Sequence, residues 1–150
     1  MTVENSTSAN AEQKSLRLLV PPLLPTSVHV QPPLLDFFDR CDLQAKDRFG
    51  IELVIDEVVS NVIRYGEPPP DTKIEICLFV DDEGWTVEVI DEATPYDPRS
   101  APVPDLDLSV EERPIGGLGV ELIRQWVDRL DYERVCARNR LTAFRRRESP

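Results

Sequence analysis

Ile51, Val54, Ile55, Val58, Val59, Val62 and Ile63 recur at i, i+3, i+4, i+7, i+8, i+11 and i+12, a spacing that places all seven on one face of an α-helix. An apolar stripe of that length has to be buried, so the chain must provide a second layer for it to pack against. The helix is expected to end near Gly66, because Glu67-Pro68-Pro69-Pro70 cannot continue it. A sheet is the natural second layer. From Lys73 to Val80 the chain alternates, with Ile74, Ile76, Leu78 and Val80 on one side, and it alternates again from Trp85 to Ile90 after the acidic turn Asp81-Asp82-Glu83-Gly84. The two runs predict a hairpin.

Residues 1–14 are polar and are expected to be disordered, with order beginning at Ser15 in the short strand SLRLLV, stopped by Pro21-Pro22. After Pro32-Pro33, the residues Leu34, Leu35, Phe37, Phe38 and Cys41 predict a short helix with prolines at its start. From 98 to about 115 the chain is rich in proline and acid and has little periodicity, which reads as a loop long enough to act as a lid. Gly116-Gly117-Leu118-Gly119 then introduces a helix marked by Val120, Leu122, Ile123, Trp126, Val127 and Leu130. Two short strands, 132–136 and 141–144, close the chain around a turn at 137–140. This makes one domain over residues 15–147, of α+β class.

Charge narrows the function. With 17 Lys and Arg against 28 Asp and Glu the net charge is −11, the wrong sign for a nucleic-acid binder. No run approaches the roughly 20 apolar residues that cross a bilayer, and the polar start lacks the basic and apolar regions of a signal peptide. A cytoplasmic protein is expected. Cys41, Cys77 and Cys136 are odd in number and widely spaced, which favours reduced thiols over a disulfide or zinc framework.

Three segments can carry chemistry. Glu57 and Asn61 lie a little over one turn apart on a flank of the apolar stripe. There a half-buried amide oxygen can ligate magnesium while the carboxylate orients water or a hydroxyl. The pair reads equally well as a boundary pair satisfied by neighbouring loops. Asp91 ends the second hairpin strand, where an ionised carboxylate can accept a hydrogen bond from an exocyclic amine such as that of adenine; an ordinary turn aspartate before Pro95 is the plainer alternative. The glycines 116, 117 and 119 let backbone N–H groups at a helix start approach a phosphate. They could also be a hinge. No Gly-Lys-Ser/Thr occurs, which excludes P-loop chemistry.

In order and spacing, from about Leu16 to Arg146, these segments resemble the Bergerat-fold (GHKL) ATPase and kinase superfamily, and within it the small anti-sigma-factor serine/threonine-protein kinases of bacterial partner switching. Glu57-Val58-Val59-Ser60-Asn61 matches that family's N box. The stretch from Asp91 through Ala93 to Asp97-Pro98 looks like its G1 box, and Gly116 to Ile123 like its G2 box. Asp131-Tyr132-Glu133-Arg134 and Asn139-Arg140-Leu141-Thr142 also have that family's look. The resemblance implies a two-layer α/β sandwich, with a mixed, mostly antiparallel sheet and helices on one face. It implies ATP and Mg2+ as cofactors, with Asn61 on the metal and Glu57 as the base or nucleophile-orienting carboxylate. Asp91 would read adenine, Ala93 and Asp97 of the G1 segment would also bind the nucleotide, and Gly116, Gly117 and Gly119 would meet the phosphates under a lid at 98–115.

As partners the resemblance implies a STAS-domain anti-anti-sigma protein, phosphorylated on serine, and a sigma factor, with homodimerisation possible. His29, the one histidine, is expected in a proline-flanked connector, which argues against a sensor histidine kinase. The G1 box usually carries glycine where this chain has Ala93, and Tyr65 stands where relatives commonly have histidine. On those two departures rests an alternative, a partner-binding regulator of the same fold with weak or no kinase activity. ATP hydrolysis driving a conformational cycle is a third reading, opposed by the lack of a transducer segment. The charge is unevenly spread: residues 51–112 hold 3 basic and 17 acidic groups, and residues 113–150 hold 9 and 5. A nucleotide entering the acidic part should need its metal counterion, and an acidic lid face would suit a basic partner.

Overall fold

The computed structural model describes residues 2–7, 13–100, 105, 107–109, 111 and 117–148. Gly116 and most of the expected lid after residue 100 lie outside the described residues. Along the chain come strands β1 (Thr2–Thr7) and β2 (Lys14–Val20), then helices α1 (Ser27–Cys41) and α2 (Ala45–Tyr65). They are followed by β3 (Ile74–Val80), β4 (Gly84–Asp91), a single 3-10 turn at Pro98–Ser100, α3 (Gly117–Trp126), β5 (Arg129–Val135) and β6 (Arg138–Arg146).

The six strands form one sheet in the order β1-β2-β3-β4-β6-β5. Every pairing among them is antiparallel, where a mixed sheet was expected. Its register explains the core. Leu18 pairs with Ile76, Ile76 with Val89 and Val89 with Leu141, so one apolar row runs across four strands on a single face. A parallel row joins Leu16, Leu78, Val87 and Ala143. Onto this face α1 sets Leu34, Phe37 and Phe38, α2 sets Ile51, Val54 and Val59, and α3 sets Ile123, all buried in one cluster. Each such side chain contributes about 1.5–3 kcal/mol by leaving water. The result is the expected two-layer sandwich with its helices on one face.

Four local expectations differ from what the fold does. Residues 2–7 pair with β2 through Thr2↔Leu19 to Thr7↔Lys14, so the first 14 residues are not disordered throughout. β1 joins by main-chain ladder bonds and carries one apolar residue, Val3, so its hydropathy pattern could not announce it. Helix α1 starts at Ser27 rather than after the prolines, which stand inside it. Pro32 and Pro33 forfeit two backbone bonds, and the buried face of Val30, Leu34, Phe37 and Phe38 outweighs that loss. His29 therefore sits in a helix and not in a connector. The closing strands are longer than predicted and turn at Cys136 and Ala137, whose φ angles of 52° and 62° make a tight two-residue turn without glycine. All three cysteines are free thiols. Among the described residues, no helix is long and apolar enough to cross a membrane.

Candidate functional site

Where α2 and α3 meet the ends of β4, β5 and β6, a cavity of about 290 Å³ opens. Its walls include Asn61 and Tyr65 of α2, Asp91 of β4, Ala93 just beyond it, Tyr132 of β5 and Asn139 of β6. Residues from five separate stretches of sequence, Val120 and Ile123 of α3 among them, therefore converge there.

Asp91 is buried, and its Oδ1 accepts hydrogen bonds from the Ala93 N–H (2.9 Å) and from Asn139 Nδ2 (2.9 Å). The β4–β6 register places Asp91 directly opposite Asn139 on the covered face of the sheet. Asn139 Nδ2 also reaches the carbonyls of Ala93 (3.1 Å) and Thr94 (3.3 Å). Its Oδ1 accepts from Tyr132 Oη (2.7 Å) and Arg134 Nη1 (2.9 Å). Burial pushes the Asp91 carboxyl above the usual aspartate range, opposed by the Asn139 and Ala93 hydrogen bonds and by the charges of Arg134 and Arg138. Both bonds engage Oδ1, and among the described residues Oδ2 has no partner, so it is the acceptor available to a ligand in the cavity.

Ala93 is buried against Gly66, which follows α2. A Cβ placed on Gly66 would stand 2.7 Å from the Ala93 methyl and 2.7 Å from the Val62 carbonyl oxygen. Thr94 N–H donates to the Gly66 carbonyl (2.9 Å), tying the loop after β4 to the end of the helix. The Ala93 φ is not positive. The methyl that replaces the expected glycine is thus housed by a glycine across from it.

On the helix side, Asn61 reaches the cavity, and Glu57 stands one turn earlier, half-buried. A Cβ at Gly119 would collide with the Glu57 carboxylate, so the first turn of α3 and the Glu57 side chain touch only because that residue is glycine. Burial raises the Glu57 pKa, neighbouring Asp56 adds to the rise, and Arg64 opposes it. Gly117 opens α3 rather than preceding it. Asp97 does not join the cavity wall. Its carboxylate is engaged by Arg99, through the backbone N–H (2.9 Å) and a 2.8 Å ion pair, which holds it below the usual aspartate range. Arg124 of α3 donates to the carbonyls of Pro98 (3.0 Å) and Arg99 (2.7 Å), which pins the start of the loop to the same helix.

Tyr132, Arg134 and Asn139 carried no assigned role in the sequence. The register Asp91↔Asn139 brings them in, and strand pairing of the last hairpin is the signal that would have found them. No group of three or more His, Cys, Asp or Glu side chains among the described residues could hold a metal by itself.

An α+β sandwich with a cavity between a strand-end aspartate and a helix asparagine, flanked by a glycine-opened helix, fits a nucleotide-binding domain. The chain belongs to the histidine kinase-like ATPase domain family, whose model matches residues 26–144. It is similar to the serine/threonine-protein kinase BtrW of Bordetella bronchiseptica, 29% identical over 99 residues that span 65% of this chain and 70% of that kinase. The family implies ATP binding, and family and relative together support a kinase or ATPase activity.

Proposed function

We propose that this chain is an ATP- and magnesium-dependent protein-serine kinase of a bacterial partner-switching system, which phosphorylates a STAS-domain anti-anti-sigma protein and also sequesters a sigma factor. The observation that carries the reading is the convergence of Asp91 and Asn61 on one cavity, with Glu57 beside the first turn of α3. The name of the Bordetella relative, a serine/threonine-protein kinase, points the same way.

Asp91 Oδ2 accepts from the exocyclic amine of adenine. The Asn61 amide oxygen is a hard ligand that would hold Mg2+, an ion that commonly binds proteins through one or two side chains. When bound, the metal would supply charge neutralisation to the nucleotide phosphates. Backbone N–H groups at the start of α3 face the phosphates at a positive helix end. Glu57 orients the attacking serine hydroxyl and takes up its proton as the oxygen–γ-phosphorus bond forms and the bond to ADP breaks.

Mixing the protein with its STAS-domain partner, labelled ATP and Mg2+ should yield phosphoserine on the partner. Absence of phosphoserine, or equal labelling by Asn61→Ala, would sink the kinase assignment. The weak-kinase alternative rested on Ala93 and Tyr65, and the housing of the Ala93 methyl by Gly66 weakens its main motive. A melting temperature unmoved by millimolar magnesium-ADP would restore it.

A further inference from the structure

We infer that Asn139 is a positioning residue that makes Asp91 selective for a base bearing an exocyclic amine over one bearing a carbonyl in the same place. This rests on the reading of the cavity as an adenine-nucleotide site.

The orientation of the Asn139 amide is set by its surroundings. Arg134 can only donate, so the atom it meets at 2.9 Å must be the amide oxygen. The Tyr132 hydroxyl donates to that same oxygen at 2.7 Å. The NH2 group is then turned toward Asp91 Oδ1, with the Ala93 and Thr94 carbonyls also in reach. A flipped amide would set NH2 against the guanidinium and oxygen against the carboxylate, and both contacts would repel.

Two consequences reach the ligand. With Oδ1 held by the Asn139 amide and the Ala93 N–H, the Asp91 carboxylate cannot swing, and Oδ2 keeps one direction. The same donors favour the ionised carboxylate, which can only accept. Adenine offers an N–H there and is matched. Hypoxanthine offers a carbonyl oxygen and is repelled. A carboxyl released from Asn139 could rotate or take up a proton and donate to that carbonyl. The charged groups that act on it are Arg134 of β5 and Arg138 of β6, and both favour the ionised form.

The experiment is binding of ADP and of IDP, which differ only in that amine and carbonyl, to the full chain by calorimetry with Mg2+. Wild type should prefer ADP by at least about tenfold, since an unmatched buried acceptor pair is costly. Asn139→Leu, similar in size and unable to hydrogen-bond, should weaken ADP and compress the ADP/IDP ratio toward one. Lowering the pH should raise IDP binding in the variant and not in wild type. If Asn139→Leu weakens both nucleotides equally and keeps the full ratio, Asn139 is merely structural and the inference is overturned. Should that variant not fold, Tyr132→Phe removes one of the two bonds that orient the amide. It should narrow the ratio, and an unchanged ratio there overturns the inference as well. Wild type that binds neither nucleotide overturns the adenine-site reading and this inference with it, a result separate from the loss of the positioning role alone.

Discussion

At the strand ends of the cavity, Asp91 is held by two hydrogen bonds and Asn139 by five polar contacts within 3.3 Å. At the helix end, Asn61 and Glu57 stand beside a glycine-opened helix, and among the described residues no such lattice of side chains holds them. The base end is preorganised by the protein. On the proposed reading the other end takes the phosphates, whose ligand would bring its own charge and metal. A base is neutral and planar, so only fixed donors and acceptors can identify it. A triphosphate is identified by charge, which backbone N–H groups and a cation can meet. Variants at the two ends should therefore separate catalysis from recognition.

Asn61→Ala should have the largest effect. Phosphotransfer to the protein substrate should fall roughly a hundredfold or more, the scale for removing one preorganised electrostatic partner. ADP binding measured without magnesium should be nearly unchanged. Calorimetry with and without the metal checks this, and an equal loss of metal-free ADP binding would place Asn61 at the base end instead. Asp91→Asn should show the reverse pattern. Loss of a hydrogen bond to a charged acceptor costs about 1.5–3 kcal/mol, so ADP affinity should fall by roughly 10- to 100-fold in both conditions, and the thermal shift caused by ADP should shrink accordingly.

The legibility of these two ends in the sequence was uneven for a physical reason. α2 declares itself through a period of 3.6 and the β3–β4 hairpin through a period of 2, so Glu57, Asn61 and Asp91 could be placed on their elements from local pattern alone. Asn139, Tyr132 and Arg134 could not. They gain meaning only when β6 pairs with β4 and β5 pairs with β6, a register that no local pattern encodes. Asp97 shows the opposite failure. It stands in the right motif, yet Arg99, two residues on, claims its carboxylate. β1 was missed because an edge strand can be made by backbone bonds alone, and the start of α1 because its prolines read as a beginning when they are interior.

Gly66 joins the two ends, since it follows the helix that carries Asn61 and faces Ala93 of the base end. Gly66→Ala should lower stability by about 1–3 kcal/mol, as overpacking does, because the new methyl meets the Ala93 Cβ and the Val62 carbonyl, neither of which can swing away. Thermal melts should show partial recovery in the Gly66→Ala, Ala93→Gly double variant, with a coupling of about 0.5 kcal/mol or more. Strict additivity would mean that the two residues do not share that space.

The subtlest expected effect is the pH dependence imposed on phosphotransfer by Glu57. Its folded pKa is raised, first by burial and then by Asp56, and a carboxylate must be ionised to accept the serine proton. The ionised fraction grows with pH, so the phosphotransfer rate should climb through a limb displaced above the ordinary glutamate pKa and then level off. The linked stability has the same origin and the opposite sign: the fold binds this proton more tightly than the unfolded chain does, so the contribution of Glu57 to stability falls as pH rises through the limb. Glu57→Gln should abolish the rate limb, cut phosphotransfer, and leave ADP affinity almost untouched at every pH. If the limb persists in Glu57→Gln, it belongs to another group. The next candidate is Asp91, whose pKa is also raised by burial, and that would move the titration to the base end, where ADP affinity itself would follow the pH.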